Sequence, residues 1–201
     1  HKQFGSMLSG IKDGVYYAFN QPAIRATLIL FAITAAFGRP FAELLPGFAA
    51  DVFARGALGL AWLTSSVGFG AIIAGIYLSQ QRDIKGLRRL VVLNTGLFGL
   101  ALIAMVSTKL FWFGVPAAAL AGFSMVVCAV GAQSLIQNAV DSAMRGRVLS
   151  LYGLVFRAGV AVGSLTIGTL AEDFGLPWPV AVGALGCVAA ALIARSPARS
   201  H

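Results

Sequence analysis

Arg157 stands about nine residues into an otherwise apolar run from Val148 to Leu170. In a helix rising 1.5 Å per residue that is roughly 14 Å from the start of the run. A charge at such depth in hydrocarbon costs at least ~2.5 kcal/mol and must face protein or water. On a helical wheel its face also carries Gly153, Ala161, Ser164 and Gly168, a small and polar stripe. Two readings stay open. Either Arg157 and Ser164 line a water-filled cavity and touch substrate, or the arginine bonds carbonyls of a tightly packed neighbouring helix.

Arg39 and Glu43 are four apart late in another apolar run, so they share a helix face and can pair. Pro40 and Pro46 predict a bend or an end there, which puts the pair near the membrane boundary. Glu43 is nevertheless the carboxylate placed closest to a span interior, which makes Glu43, with Arg39, the candidate for proton coupling. Gln133 and Gln137 share a face with Gly122, Val126 and Ala129 and fit either a cavity wall or interfacial hydrogen bonds. Asn94, beside Thr95, fits a hydrogen bond between helices or a substrate contact. Asp83, Arg88, Arg89, Asp141, Arg145 and Arg147 lie in loops, where they can gate or simply set topology; Asp141 and Arg145 are spaced for a helical ion pair. Histidine occurs only at His1 and His201, and there is no G-x-S-x-G, H-E-x-x-H, Walker A or cysteine–histidine cluster. Neither a metal, a cofactor nor an enzymatic site is indicated.

The elements that carry these residues are apolar runs of nearly bilayer-spanning length: Ile24 to Leu45, Leu58 to Leu78, Leu90 to Val106, Val115 to Leu135, Val148 to Leu170 and Val180 to Ala194. A hydrophobic fraction of 58%, 11% charged residues and a mean hydropathy of +0.85 leave too little polar surface for a soluble domain of 201 residues. The runs are continuous and not alternating, so they read as helices and not barrel strands. The fold class is therefore an all-α membrane protein with six transmembrane helices.

The net charge of +8 does not point to nucleic acid, because of where the charge sits. Lys2, Lys12, Arg25, Arg82, Lys85, Arg88, Arg89, Arg145, Arg147, Arg195 and Arg199 stand before or at the very start of the first run or follow the second, fourth and sixth, against Arg55 and Lys109 in the opposite loops. The positive-inside rule then places both termini in the cytoplasm of a multi-pass protein, in a bacterial inner membrane. Cys128 and Cys187 lie within apolar runs and behave as small hydrophobes.

The organisation reads as a cytoplasmic linker over residues 1–22, a six-helix bundle over 23–195 and a tail over 196–201. The chain begins with His1 and not Met, which reads as a piece of something longer. Phe4, Met7, Leu8, Ile11, Val15 and Phe19 recur at near-helical spacing and predict an amphipathic interfacial helix, broken at Asn20, Gln21 and Pro22. Gly70 to Gly75 in the second run and Gly163 to Gly168 in the fifth share the pattern glycine, small, three apolar or nearly apolar, glycine. Those runs cross in opposite directions, so the match predicts two three-helix halves of inverted topology.

Several segments resemble those of a known superfamily. Arg145, Gly146, Arg147, Val148, Ser150 and Leu151 are similar to the R-G-R-V-x-S-L segment between the tenth and eleventh helices of major facilitator superfamily exporters of the drug and siderophore branch. Phe156 to Ala171 resembles the eleventh helix of that branch, Gly10 to Arg25 the linker into its seventh, and Leu44 to Pro46 the end of the seventh. Arg82, Asp83, Gly86, Arg88 and Arg89 stand where the superfamily has its G-x-L-x-D-R-x-G-R-R loop, with Ser79, Gln80 and Gln81 in place of its Asp-Arg. The resemblance covers essentially the whole chain. It implies the C-terminal half of a twelve-helix transporter, partnered by an N-terminal six-helix half, with a midplane cavity, a small-molecule substrate and efflux driven by protons. A self-contained six-helix scaffold, a homodimeric carrier and an intramembrane enzyme are the rival readings.

Overall fold

A computed structural model describes residues 14–38, 40–81, 84–175 and 177–195, and every regular element among them is helical. Residues 14–20 form α1. The first span is composite: α2 (Pro22–Ile33), a π-helical turn (Thr34–Gly38), α3 (Pro40–Gly47) and a second π-helical turn (Phe48–Val52). The other spans are α4 (Gly56–Ser79), α5 (Ile84–Val106), α6 (Phe111–Ala139), α7 (Arg145–Phe174) and α8 (Pro177–Arg195). Six stretches are long and apolar enough to cross a bilayer: Ile24–Val52, Gly56–Ser79, Gly86–Val106, Phe111–Ala139, Arg145–Ala171 and Pro177–Arg195.

The first span runs to Val52, beyond the end expected at Leu45. Proline removes a backbone donor and crowds the carbonyl four residues back. Here the π-helical turns beside Pro40 and after Pro46 absorb that mismatch, and the helix continues. Glu43 therefore lies nine residues before the end of its helical span, where a helix ending at Leu45 would leave it two. The fifth span starts at Arg145, three residues earlier than expected, so Arg157 falls close to its midpoint.

Helix α6 is the centre of the bundle, with Gly114, Ala118, Ala121, Gly122, Cys128, Gly131 and Ala132 buried along it. Its contact with α4 is backbone on backbone. A Cβ at Gly70 would strike the Ala119 carbonyl, and one at Gly122 would strike that of Val67. Small residues thus let two membrane helices approach closely where lipid provides no hydrophobic drive between them.

The main packing pairs respect an exchange of chain halves. The second span packs on the fourth and the fifth on the first; the third packs on the fourth and the sixth on the first; the third and sixth pack on each other. Swapping spans one, two and three with four, five and six maps this set onto itself. The glycines follow the same correspondence: Gly70 and Gly163 are both buried, whereas a Cβ at Gly75 or Gly168 would meet nothing within 4 Å.

Burial is uneven. Half of the third span's apolar window is buried and 44% of the fourth's, but only 22% of the second's and 17% of the fifth's, so α4 and α7 form the open flanks of the bundle. The largest core joins Phe41, Phe48, Leu63, Phe98, Leu102 and Met105 toward the Arg55 and Lys109 end. A smaller one joins Ala18, Ile24, Leu28, Ile136, Val148 and Leu151 at the arginine-rich end. Ala18 of α1 is fully buried in it and Val15 packs against it, while Phe19, expected on the same face, is exposed. The rest of the predicted amphipathic helix, Phe4 to Ile11, lies outside the described residues.

Candidate functional site

The polar stripe of α7 faces outward. Arg157 is exposed near mid-span with no hydrogen-bond or ion-pair partner among the described residues, and a Cβ at Gly153 or Gly168, one on each side of it, would stand in open space. Between them Gly159 is the point of close approach, where a Cβ would lie 3.0 Å from that of Ala35 in the first span. The opposite face of α7 is thus anchored at Gly159, while the stripe is open at Gly153 and Gly168.

Ser164, two helical turns beyond Arg157, is half-buried and donates its hydroxyl to Glu43 Oε2 at 2.6 Å. The two side chains come from the fifth and first spans, and the carboxylate reaches the stripe because the first span continues through its prolines. Glu43, Ser164 and Arg157 therefore form a line of polar groups along one flank. Seven residues separate Ser164 from Arg157, roughly 10 Å along the helix.

Toward the arginine-rich end the same two spans meet through aromatic rings. Phe31 stacks on Tyr152 with ring centroids 4.2 Å apart and on Phe156 at 5.8 Å. The Tyr152 hydroxyl donates to the Ala129 carbonyl of α6 at 2.8 Å. Gln133, one turn along α6 from Ala129, is exposed, and Gln137 is half-buried. Sequence reasoning passed over this cluster. Its available signal was Tyr152 itself, since a tyrosine in an apolar span needs a partner for its hydroxyl.

Other candidates are elsewhere. Asn94 is 6% exposed on α5, donates Nδ2 to Leu90 O at 2.9 Å and has no partner for Oδ1 among the described residues. It lines a groove between the third and sixth spans, away from the α7 stripe. Thr95 donates to Val91 O at 2.9 Å and touches Cys128 Sγ at 3.5 Å, so it is the residue that bridges helices. Arg39 and Asp83 lie outside the described residues.

Four arginines expected in loops stand in helices instead, Arg88 and Arg89 near the start of α5 and Arg145 and Arg147 in the first turn of α7, and all four are exposed. The expected ion pair between Asp141 and Arg145 is not formed, although the Arg145 backbone N–H donates to the Asp141 carbonyl at 3.0 Å and so gives the two the spacing of one helical turn. The Asp141 carboxylate instead accepts the Tyr17 hydroxyl at 2.9 Å. That bond, with Gly14 close against the Arg147 backbone, fastens α1 to the loop between the fourth and fifth spans.

Six apolar helices, an internally repeated packing pattern and a polar line on an open flank define a multi-pass membrane protein of the transporter class. Residues 4–199 match the transmembrane secretion effector family (MFS_3), and the chain belongs to this family of the major facilitator superfamily. No curated protein matches the chain.

Proposed function

We propose that the chain is the C-terminal six-helix half of a proton-coupled exporter of the drug and siderophore type, with both termini in the cytoplasm of a bacterial inner membrane. The observation that carries this reading is the exposed Arg157 at the middle of its span. A guanidinium there cannot face hydrocarbon without a penalty of at least ~2.5 kcal/mol, so the open flank must be covered by protein and water. An N-terminal six-helix half would supply that cover, and the cavity between the halves would hold the substrate.

Each polar group then has a task. Arg157 binds an anionic or hydroxylated small molecule, or a carboxylate of the facing half. Glu43 takes and releases the proton, with Ser164 holding the carboxylate in place. Gln133 and Gln137 line the cavity toward the arginine-rich end. Arg88, Arg89, Asp141, Arg145 and Arg147, with Asp83, act at the cytoplasmic gate. The direction is outward, in keeping with the family's description as secretion effectors.

Reconstitution tests the reading. The 201-residue chain alone should insert into liposomes and give no substrate flux, because alternating access needs two repeats moving about one site. The chain joined to a six-span N-terminal half should transport. Robust flux by the chain alone would mean a self-contained or homodimeric carrier.

A further inference from the structure

On the side formed by the third and sixth spans, a groove of about 300 Å³ runs between α5 and α8. Its walls are Leu97 and Leu100 on one side and Val188 and Leu192 on the other. Its depth comes from Gly96, where a Cβ would lie 3.2 Å from that of Ala191. Both helices are membrane spans, and on the proposed function the facing half covers the α7 flank and not this side, so the medium that reaches this groove is lipid.

One end of the groove is cationic. Arg195, in the last turn of α8, lines it together with Val92. Val92 also lines the adjoining hollow, which contains Arg88 one turn back on α5 and Ala194 next to Arg195. Two guanidinium groups thus flank a single valine where the third span begins and the sixth ends. Both are exposed, and neither has a hydrogen-bond or ion-pair partner among the described residues.

We infer that this groove holds one phospholipid with an anionic headgroup, its phosphate between Arg88 and Arg195 and an acyl chain along Leu97, Leu100, Val188 and Leu192. Arginine binds phosphate oxygens in a two-pronged, charge-assisted geometry. Basic pockets between spans at the arginine-rich side of a membrane protein suit anionic headgroups. A second groove, of about 380 Å³, supplies the internal comparison. It lies at the opposite end, against Gly163, Trp178 and Val182, and no charged residue lines it. It offers a place for a chain and nothing for a headgroup.

The test is native mass spectrometry of the detergent-purified chain titrated with phosphatidylglycerol and with phosphatidylethanolamine of identical acyl chains. Phosphatidylglycerol should be retained preferentially, and rising salt should erase the preference. The variant Arg88→Gln/Arg195→Gln should weaken phosphatidylglycerol by about fivefold per arginine and leave phosphatidylethanolamine unchanged, while Arg88→Lys/Arg195→Lys should keep most of the preference. Leu192→Trp, at the exposed rim, should lower retention of both lipids equally. Equal retention of the two lipids by the unmodified chain would overturn the inference, as would a double-glutamine variant or a Leu192→Trp variant with unaltered binding. Displacement of the lipid by glycerol 3-phosphate, which has no acyl chain, would reduce the site to a simple anion contact and also overturn it. If the double-glutamine variant fails to fold, the lipid preference of the unmodified chain and its salt dependence decide the matter.

Discussion

Ser164 donates its hydroxyl to Glu43 across 121 positions of sequence, at 2.6 Å. That is the length of a charge-assisted bond to a carboxylate. It holds the carboxylate against the flank that also carries Arg157, nine residues before the end of its helical span. The proton-coupling proposal makes the two residues unequal. Glu43→Gln can still accept from Ser164 through its amide oxygen but cannot carry a proton. Gradient-driven transport by the complete transporter should be abolished, whereas substrate exchange without a gradient should persist. Ser164→Ala should slow gradient-driven transport by roughly tenfold, the worth of one hydrogen bond to a charged group, without abolishing it. A Glu43→Gln protein that still concentrates substrate against a pH gradient would remove Glu43 from the coupling step.

The two glycines of the second span's repeat should respond oppositely to alanine. Gly70 faces the Ala119 carbonyl, so Gly70→Ala must push α4 off α6, at a cost of about 1–3 kcal/mol. Gly75 meets open space, and Gly75→Ala should stabilise the isolated chain by up to about 1 kcal/mol through helix propensity. Thermal unfolding of both variants in detergent checks the pair. Equal effects would mean that α4 does not sit on α6 through Gly70.

Much of the architecture was legible in the apolar runs, because length and composition alone decide whether a helix can span a bilayer. The end of the first span was not. Pro40 and Pro46 carry a local instruction to stop, and only the π-helical turns around them, which depend on packing against α4 and α7, let the span continue to Val52. The same limit applies to the site. Arg157 and Ser164 were visible as a stripe from spacing within one helix. That Glu43 would join Ser164, and that Tyr17 would take Asp141 from Arg145, are contacts between distant segments, which no period in the sequence encodes.

The stack of Phe31 on Tyr152 gives a graded stability prediction. Tyr152→Phe keeps the ring and loses the bond to the Ala129 carbonyl, so it should destabilise by about 0.5–1.5 kcal/mol. Phe31 is 4% exposed, and Phe31→Ala leaves a hole between the first and fifth spans worth about 3–5 kcal/mol. Denaturation midpoints should fall in that order.

Topology has a direct check. A single cysteine at Asp51, on the last turn of the first span, should be labelled from the periplasmic side, and one at Arg145, at the start of the fifth, from the cytoplasmic side. Both native cysteines are buried and would contribute little background. Labelling of the two positions from the same side would break the six-span arrangement, and labelling from reversed sides would invert the proposed orientation.

Arg157 should matter more for transport than any other residue of this chain. It lies at the midpoint of its span, on an exposed face, with open space at Gly153 and Gly168 beside it. A positive charge so placed is a standing burden on insertion unless a substrate or a facing carboxylate meets it. Arg157→Ala should therefore leave membrane insertion unharmed or improved while lowering transport by at least about tenfold, the effect of losing a hydrogen bond to a charged group. Arg157→Lys keeps the charge but loses the planar fork, so its activity should fall as well, though less. Arg147→Ala, in the first turn of α7, should alter gating or topology and leave substrate affinity nearly intact. Normal transport by Arg157→Ala at normal expression would show that the guanidinium only packs against carbonyls of the facing half, and that the substrate is held elsewhere.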